Sequence, residues 1–157
     1  MNHNREFIQQ LGAQIGLPDL HFSDEGLCEL VLPDGAEFFL EGSPDGVVLH
    51  LSGVVGYLHA PSAEVLSQLL SANHNGQATG AAALALNSGN PAELLLNQRL
   101  DVSQMTGIEP FLATLETFLK YLAFWADYLP ALSAGQAAGP PADSLAMHAG
   151  SGFSLSV

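Results

Sequence analysis

Six histidines, one cysteine and 16 carboxylates are the side chains of this 157-residue chain best suited to catalysis or metal binding. His3, His21, His50, His59, His74 and His148 are scattered. No two stand at i, i+4 on an expected helix, and Cys28 alone leaves no thiolate pair to complete a zinc site. The one arrangement with any pairing is His50 on an expected strand with His59 just beyond it. A pocket holding both would suit a small-ligand-binding or hydrolytic domain. Cys28 falls in mid-strand without a cationic neighbour to lower its pKa, which reads as a small core or interface residue. Eight of the acids lie between Asp19 and Asp45. Of these, Asp34 and Asp45 fall in expected turns, while Glu29, Glu37 and Glu41 alternate outward along expected strands. Asp24-Glu25-Gly26 lacks calcium-loop spacing. Gly76-Gln77-Ala78-Thr79-Gly80 lacks the lysine of a phosphate loop, and Gly150-Ser151-Gly152 is no nucleophile elbow. The sequence therefore predicts no catalytic residues, no metal and no cofactor.

The composition narrows the remaining functions. Three Lys+Arg against 16 Asp+Glu give a net charge of −13, and no Lys or Arg occurs between Arg5 and Arg99. Such a chain cannot build the basic surface that displaces phosphate counterions, so nucleic acid is excluded and anionic membranes are disfavoured. Charged residues make up 12% and apolar residues 48% of the chain. That is enough to bury a core, with few charges to cover the outside, so self-association is expected. The start of the chain is polar, with no apolar run of a signal peptide, and Phe111 to Leu132 is broken by Glu116, Lys120, Asp127 and Pro130. A lone cysteine fits a reducing compartment.

The elements that must position these residues follow from periodicity. Residues 4–16 read as a helix: Phe7, Ile8, Leu11 and Ile15 form its apolar stripe, Asn4 is a candidate cap and Gly16 a left-handed stop. Three strands follow, Leu27 to Leu32, Ala36 to Glu41 and Val47 to Val55, separated by Pro33-Asp34-Gly35 and Gly42-Ser43-Pro44-Asp45-Gly46. Short turns make them an antiparallel meander. Residues 61–73 return to the helical period with Pro61 in the first turn. Ala81 to Leu86 and Glu93 to Arg99 form a second hairpin. Thr106-Gly107-Ile108-Glu109 has capping-box spacing ahead of a helix carrying Phe111, Leu115, Phe118, Leu122, Trp125 and Leu129.

From Pro130 onward 19 of 28 residues are Ala, Gly, Ser or Pro, which predicts a flexible tail over 130–157 after a domain of 1–129. The order α-β-β-β-α-β-β-α defines an α+β fold, an antiparallel twisted sheet packed by helices. Several strands are apolar on both faces. Leu27 and Val31 oppose Cys28 and Leu30, and Phe38 opposes Phe39. The surplus is either core shielded by the last helix or a docking face for another chain.

The series Gly16-Leu17-Pro18, Asp24-Glu25-Gly26-Leu27-Cys28, Pro33-Asp34-Gly35, Glu41-Gly42-Ser43-Pro44-Asp45-Gly46, Gly56-Tyr57-Leu58, Leu69-Leu70-Ser71-Ala72-Asn73 and a final helix with Phe118 and Trp125 runs in order over about residues 5–129. It resembles the class I chaperones of type III secretion, the CesT/Tir-chaperone family. The tail extends past that family's usual core. The resemblance implies a homodimer in the cytoplasm of a Gram-negative bacterium. It would bind the N-terminal segment of a secreted effector without nucleotide or metal and deliver it to the export apparatus. Carried onto this chain, the resemblance puts the dimer interface at Val65, Leu66, Leu69 and Leu70, with Leu84 and Leu86. It puts effector contacts at Phe7, Ile8, Leu11 and Ile15, with Phe39, Leu49 and Leu95.

Overall fold

A computed structural model describes residues 3–137 except Asp34. His148 and the tail from residue 138 lie outside the described residues. The elements are α1 (His3–Gln14), β1 (Leu27–Val31), β2 (Glu37–Gly42), β3 (Val48–Tyr57), α2 (Ala63–Ala72), β4 (Ala83–Leu86), β5 (Glu93–Asp101) and α3 (Glu109–Ser133). This is the expected α-β-β-β-α-β-β-α order. The strands form one antiparallel five-stranded sheet in the order β1-β2-β3-β5-β4. By packing, the described residues divide into two units, 3–52 with 98–117 and 53–97 with 118–137.

In the first unit, α1 buries Phe7, Ile8 and Leu11, and the Phe7 ring lies 5.5 Å from that of Phe111. The helix ends as its glycine predicts. Gly16 adopts φ +77°, and Leu17 N–H returns to the Gly12 carbonyl at 2.8 Å. Asn4 is not the cap that the sequence suggested. It lies inside the first turn, and its Nδ2 donates to the Val48 carbonyl at 2.9 Å, while its N–H donates to the Gly46 carbonyl at 3.2 Å. A buried amide makes better use of its hydrogen bonds as a tether to the β2–β3 turn than at a solvated helix end. In that turn Asp45 accepts from Ser43 Oγ and from Val47 N–H at 3.1 Å. The Ser43 hydroxyl, and then the Val47 amide, hold the Asp45 carboxyl below the usual carboxylate range.

In the second unit, Ser62 rather than Pro61 sets the start of α2. Its Oγ accepts from Val65 N–H at 3.2 Å, and Pro61 falls outside the helix. Gly53 lies under α3: a Cβ there would sit 2.5 Å from Leu122 Cδ2. Trp125, fully buried, donates from Nε1 to the Ala78 carbonyl at 2.8 Å and anchors the loop before β4. Glu109 opens α3 instead of sitting at its third position, so the expected capping box does not form there. Pro130 does not end the helix, which runs four residues past Leu129 to Ser133. A proline removes only one donor, and Leu129 and Leu132 remain buried on either side of it. Gly135, at φ +69°, makes the stop.

Candidate functional site

Buried alternation separates the faces of β1 and β2. Cys28, Leu30, Phe38 and Leu40 point to the core, and burial pushes the Cys28 thiol up in pKa, away from thiolate chemistry. The opposite face carries Leu27, Glu29 and Val31 on β1 beside Glu41, Phe39 and Glu37 on β2, paired in that order. Every apolar side chain on this face therefore stands across from a carboxylate. Leu27 is 38% and Val31 61% exposed, and Phe39 is half-buried.

Hydrogen-bond parity shows which backbone groups this edge offers. Gly42 N–H donates to the Gly26 carbonyl at 3.0 Å and Leu32 N–H to the Ala36 carbonyl at 2.8 Å, at the two ends of the β1–β2 ladder. Even-numbered residues of β1 thus bond to β2, and Leu27, Glu29 and Val31 turn their N–H and C=O groups outward. The Ser23 turn takes those of Leu27: Ser23 N–H reaches the Leu27 carbonyl at 2.8 Å, and Leu27 N–H reaches Ser23 Oγ at 3.2 Å. Beyond Val31, Pro33 has no N–H to offer. Among the described residues, what remains is a short window of Glu29 and Val31.

The other sheet edge is different. Asn87 N–H donates to the Glu93 carbonyl at 2.9 Å, so Leu84 and Leu86 are the β4 residues that turn outward. Leu84 is already engaged, its N–H by Asn73 Oδ1 at 2.8 Å and its carbonyl by Asn73 Nδ2 at 3.0 Å.

The residues assigned to partner contacts separate by exposure. Phe7, Ile8, Leu11 and Leu49 are sealed in the core of the chain and are not open to a partner. Ile15, Phe39 and Leu95 are partly exposed. On α2 and β4, Val65, Leu69 and Leu84 are buried, whereas Leu70 is 71% exposed, Leu86 is also exposed and Leu66 is intermediate. Leu27 and Val31, which the sequence reading left out of the partner contacts, lie in the out-facing phase of β1 and are exposed. Tyr57 ends β3 exposed, its hydroxyl donating to Glu93 Oε1 at 3.1 Å, although it shares the phase of the buried Leu49, Leu51 and Val55, so alternation alone reads it as core.

His50 and His59 are both exposed, and two pockets in the first unit, of about 260 and 160 Å³, are lined by neither. Among the described residues no three His, Cys, Asp or Glu side chains are grouped to hold a metal ion, and no helix is long and apolar enough to cross a membrane.

The described residues form an α+β protein with an exposed apolar and acidic face on β1 and β2, backed by a core. The family comparison agrees. Residues 6–126 match the model of the Tir chaperone protein (CesT) family, and the chain belongs to that family. Comparison with curated protein sequences gave no match. Among solved structures the fold is similar to a chain of the ExsC–ExsE complex, with TM-score 0.69 and 22% identity, covering 81% of this chain and 96% of that one. It is also similar to a chain of the HopA1–SchA chaperone–effector complex, with TM-score 0.58 and 18% identity, covering 80% and 91%. The third is from the complex of the Yersinia pestis type III secretion chaperone SycH with a fragment of YscM2, with TM-score 0.59 and 16% identity, covering 78% and 98%.

Proposed function

We propose that this protein is a type III secretion chaperone that binds the N-terminal segment of a secreted effector in the bacterial cytoplasm. It keeps the segment extended and soluble and passes it to the export apparatus, as a homodimer and without ATP. The observation that carries this reading is the out-facing apolar row of exposed Leu27 and Val31 with half-buried Phe39, beside the outward backbone groups of Glu29 and Val31. A face of this kind accepts an extended chain through main-chain hydrogen bonds and alternate side chains. Family membership and the partner-bound state of the similar structures support it. Each apolar client side chain buried there contributes about 1.5–3 kcal/mol, less the cost of ordering the segment, so binding free energy alone holds the client and no turnover is needed. Ile15, Phe39 and Leu95 then belong to the client surface, and Leu66, Leu70 and Leu86 to the contact between copies.

Co-expression with effector N-terminal fragments from the same gene neighbourhood, followed by size-exclusion chromatography, tests the proposal. The expected result is a stable complex of two chaperone chains with one fragment. Free fragments and an unbound chaperone would remove the function.

A further inference from the structure

Because each outward apolar side chain of β1 and β2 faces a carboxylate across the ladder, an arriving strand meets a fixed order of chemistry. Along β1 that order is Leu27, Glu29, Val31. Outward side chains of an added strand stand about 5 Å from those of the strand it joins, so they are matched one by one. We propose that this edge selects a partner segment of the pattern apolar-x-basic-x-apolar, with its Lys or Arg beside Glu29 and its apolar residues beside Leu27 and Val31. This inference rests on the client-binding reading and names the chemistry of the client. The pattern is the same read in either direction, so it holds for a parallel or an antiparallel arrival.

Charge fixes the occupant. The chain has only three Lys or Arg residues, Arg5, Arg99 and Lys120, and each lies in an element of the fold, so no other segment of this chain supplies the central Lys or Arg. A second copy pairing β1 to β1 would bring Glu29 against an acidic strand, a like-charge contact that opposes pairing. Glu37 and Glu41 on the next strand enlarge the field that a cation meets and an acid must overcome. The Ser23 turn and Pro33 limit main-chain pairing to Glu29 and Val31, so discrimination rests on three side chains of the arriving segment.

The test uses the full chain and three acetylated, amidated synthetic peptides: Ser-Val-Ser-Arg-Ser-Val-Ser, the same with Glu for Arg, and the phase-shifted Ser-Ser-Val-Arg-Val-Ser-Ser. Backbone amide shifts are followed by NMR at low salt. The Arg peptide is expected to move the Glu29 and Val31 amides and to bind about tenfold more tightly than either other peptide. The Glu29→Gln variant, changed at an exposed side chain, is expected to shrink the preference over the Glu peptide to about twofold, and added salt to do the same. Equal binding of the three peptides, no binding by any, or an undiminished preference in Glu29→Gln overturns the proposal. Failure here with an effector fragment still co-eluting leaves the client reading intact. Discrimination here with no fragment bound removes that reading and keeps the recognition rule.

Discussion

The side-chain amide of Asn73, at the end of α2, binds both backbone groups of Leu84 that β4 turns outward, accepting its N–H at 2.8 Å and donating to its carbonyl at 3.0 Å. An asparagine here does what the peptide group of a sixth strand would do. The β4 edge is thereby closed at Leu84, while β1 keeps a window at Glu29 and Val31. Edge strands left open invite pairing, and this sheet blocks one edge with a side chain and limits the other with a turn and a proline.

Asn73→Ala leaves the Leu84 N–H and carbonyl without that partner and is expected to destabilise the protein by about 1–3 kcal/mol. Asn73→Asp separates edge closure from simple loss of volume. Its carboxylate still accepts from Leu84 N–H but has no donor for the carbonyl, so it is expected to rescue less than half of the loss. Urea denaturation measures both. Full stability in Asn73→Asp would show that the donor half of the pair contributes nothing.

Gly53 and Leu122 form a tighter contact. A Cβ at residue 53 would meet Leu122 Cδ2 at 2.5 Å and Cδ1 at 2.8 Å. Gly53→Ala must displace a fully buried leucine, and overpacking of this kind costs about 1–3 kcal/mol. Leu122→Ala alone opens a cavity and costs about 2–5 kcal/mol. The double variant removes the clash, so it is expected to lose at least about 0.5 kcal/mol less than the sum of the two. Additive losses in urea unfolding would place the strain of Gly53→Ala elsewhere.

The β2–β3 turn makes a prediction about acid. Ser43 Oγ, and then the Val47 amide, hold the Asp45 carboxyl below its ordinary 3.8, so the folded state binds that proton more weakly than the unfolded chain. The stability this provides is present above pH 3.8 and is lost as the pH falls through the lower, folded value. Ser43→Ala removes the largest cause of the shift. Thermal melts are expected to show the variant below the parent at pH 5–7 and the gap narrowing by a small amount towards pH 2–3, small because Asp45 is fully exposed. A pH-independent remainder comes from the lost Val48 N–H bond to Ser43 Oγ at 2.9 Å. A constant difference across that range would mean that the serine acts without the carboxylate.

The elements were legible in the sequence because their signals are local: Gly16 stops α1, the alternation of Phe38 and Leu40 with Glu37 and Glu41 phases β2, and Trp125 marks the buried stripe of α3. Corrections came where tertiary partners decide. Asn4 looks like a cap until Val48 competes for its amide, and Pro130 looks like a stop until Leu132 is seen to be buried beyond it. The partner surface was harder to read, since a leucine stripe on a helix reads alike whether it faces the chain's own core or another chain. On α2, Leu69 and Leu70 are neighbours in sequence and nearly opposite in exposure. Edge closure by Asn73 was not legible at all, because it joins residues that only the fold brings together.

That contrast between Leu69 and Leu70 gives the sharpest test of the contact between copies. Leu70, 71% exposed, is open to a partner, and Leu69, 4% exposed, is part of the core. A charge at Leu69 must be buried without a counterion, a cost of several kcal/mol that a domain of this size cannot absorb, so Leu69→Asp is expected to give insoluble or unfolded protein. Leu70→Asp leaves the core untouched and places a carboxylate where the proposed interface buries a leucine. It is expected to keep the circular dichroism spectrum and melting point of a folded chain while light scattering reports half the parent's mass. Loss of fold in Leu70→Asp would make that leucine part of the chain's own packing. A folded variant of unchanged dimer mass would move the interface away from α2. With Leu86→Asp as a second probe on β4, the two substitutions are expected to act on the same equilibrium and therefore to weaken association together, whereas a monomeric parent would exclude a dimer altogether.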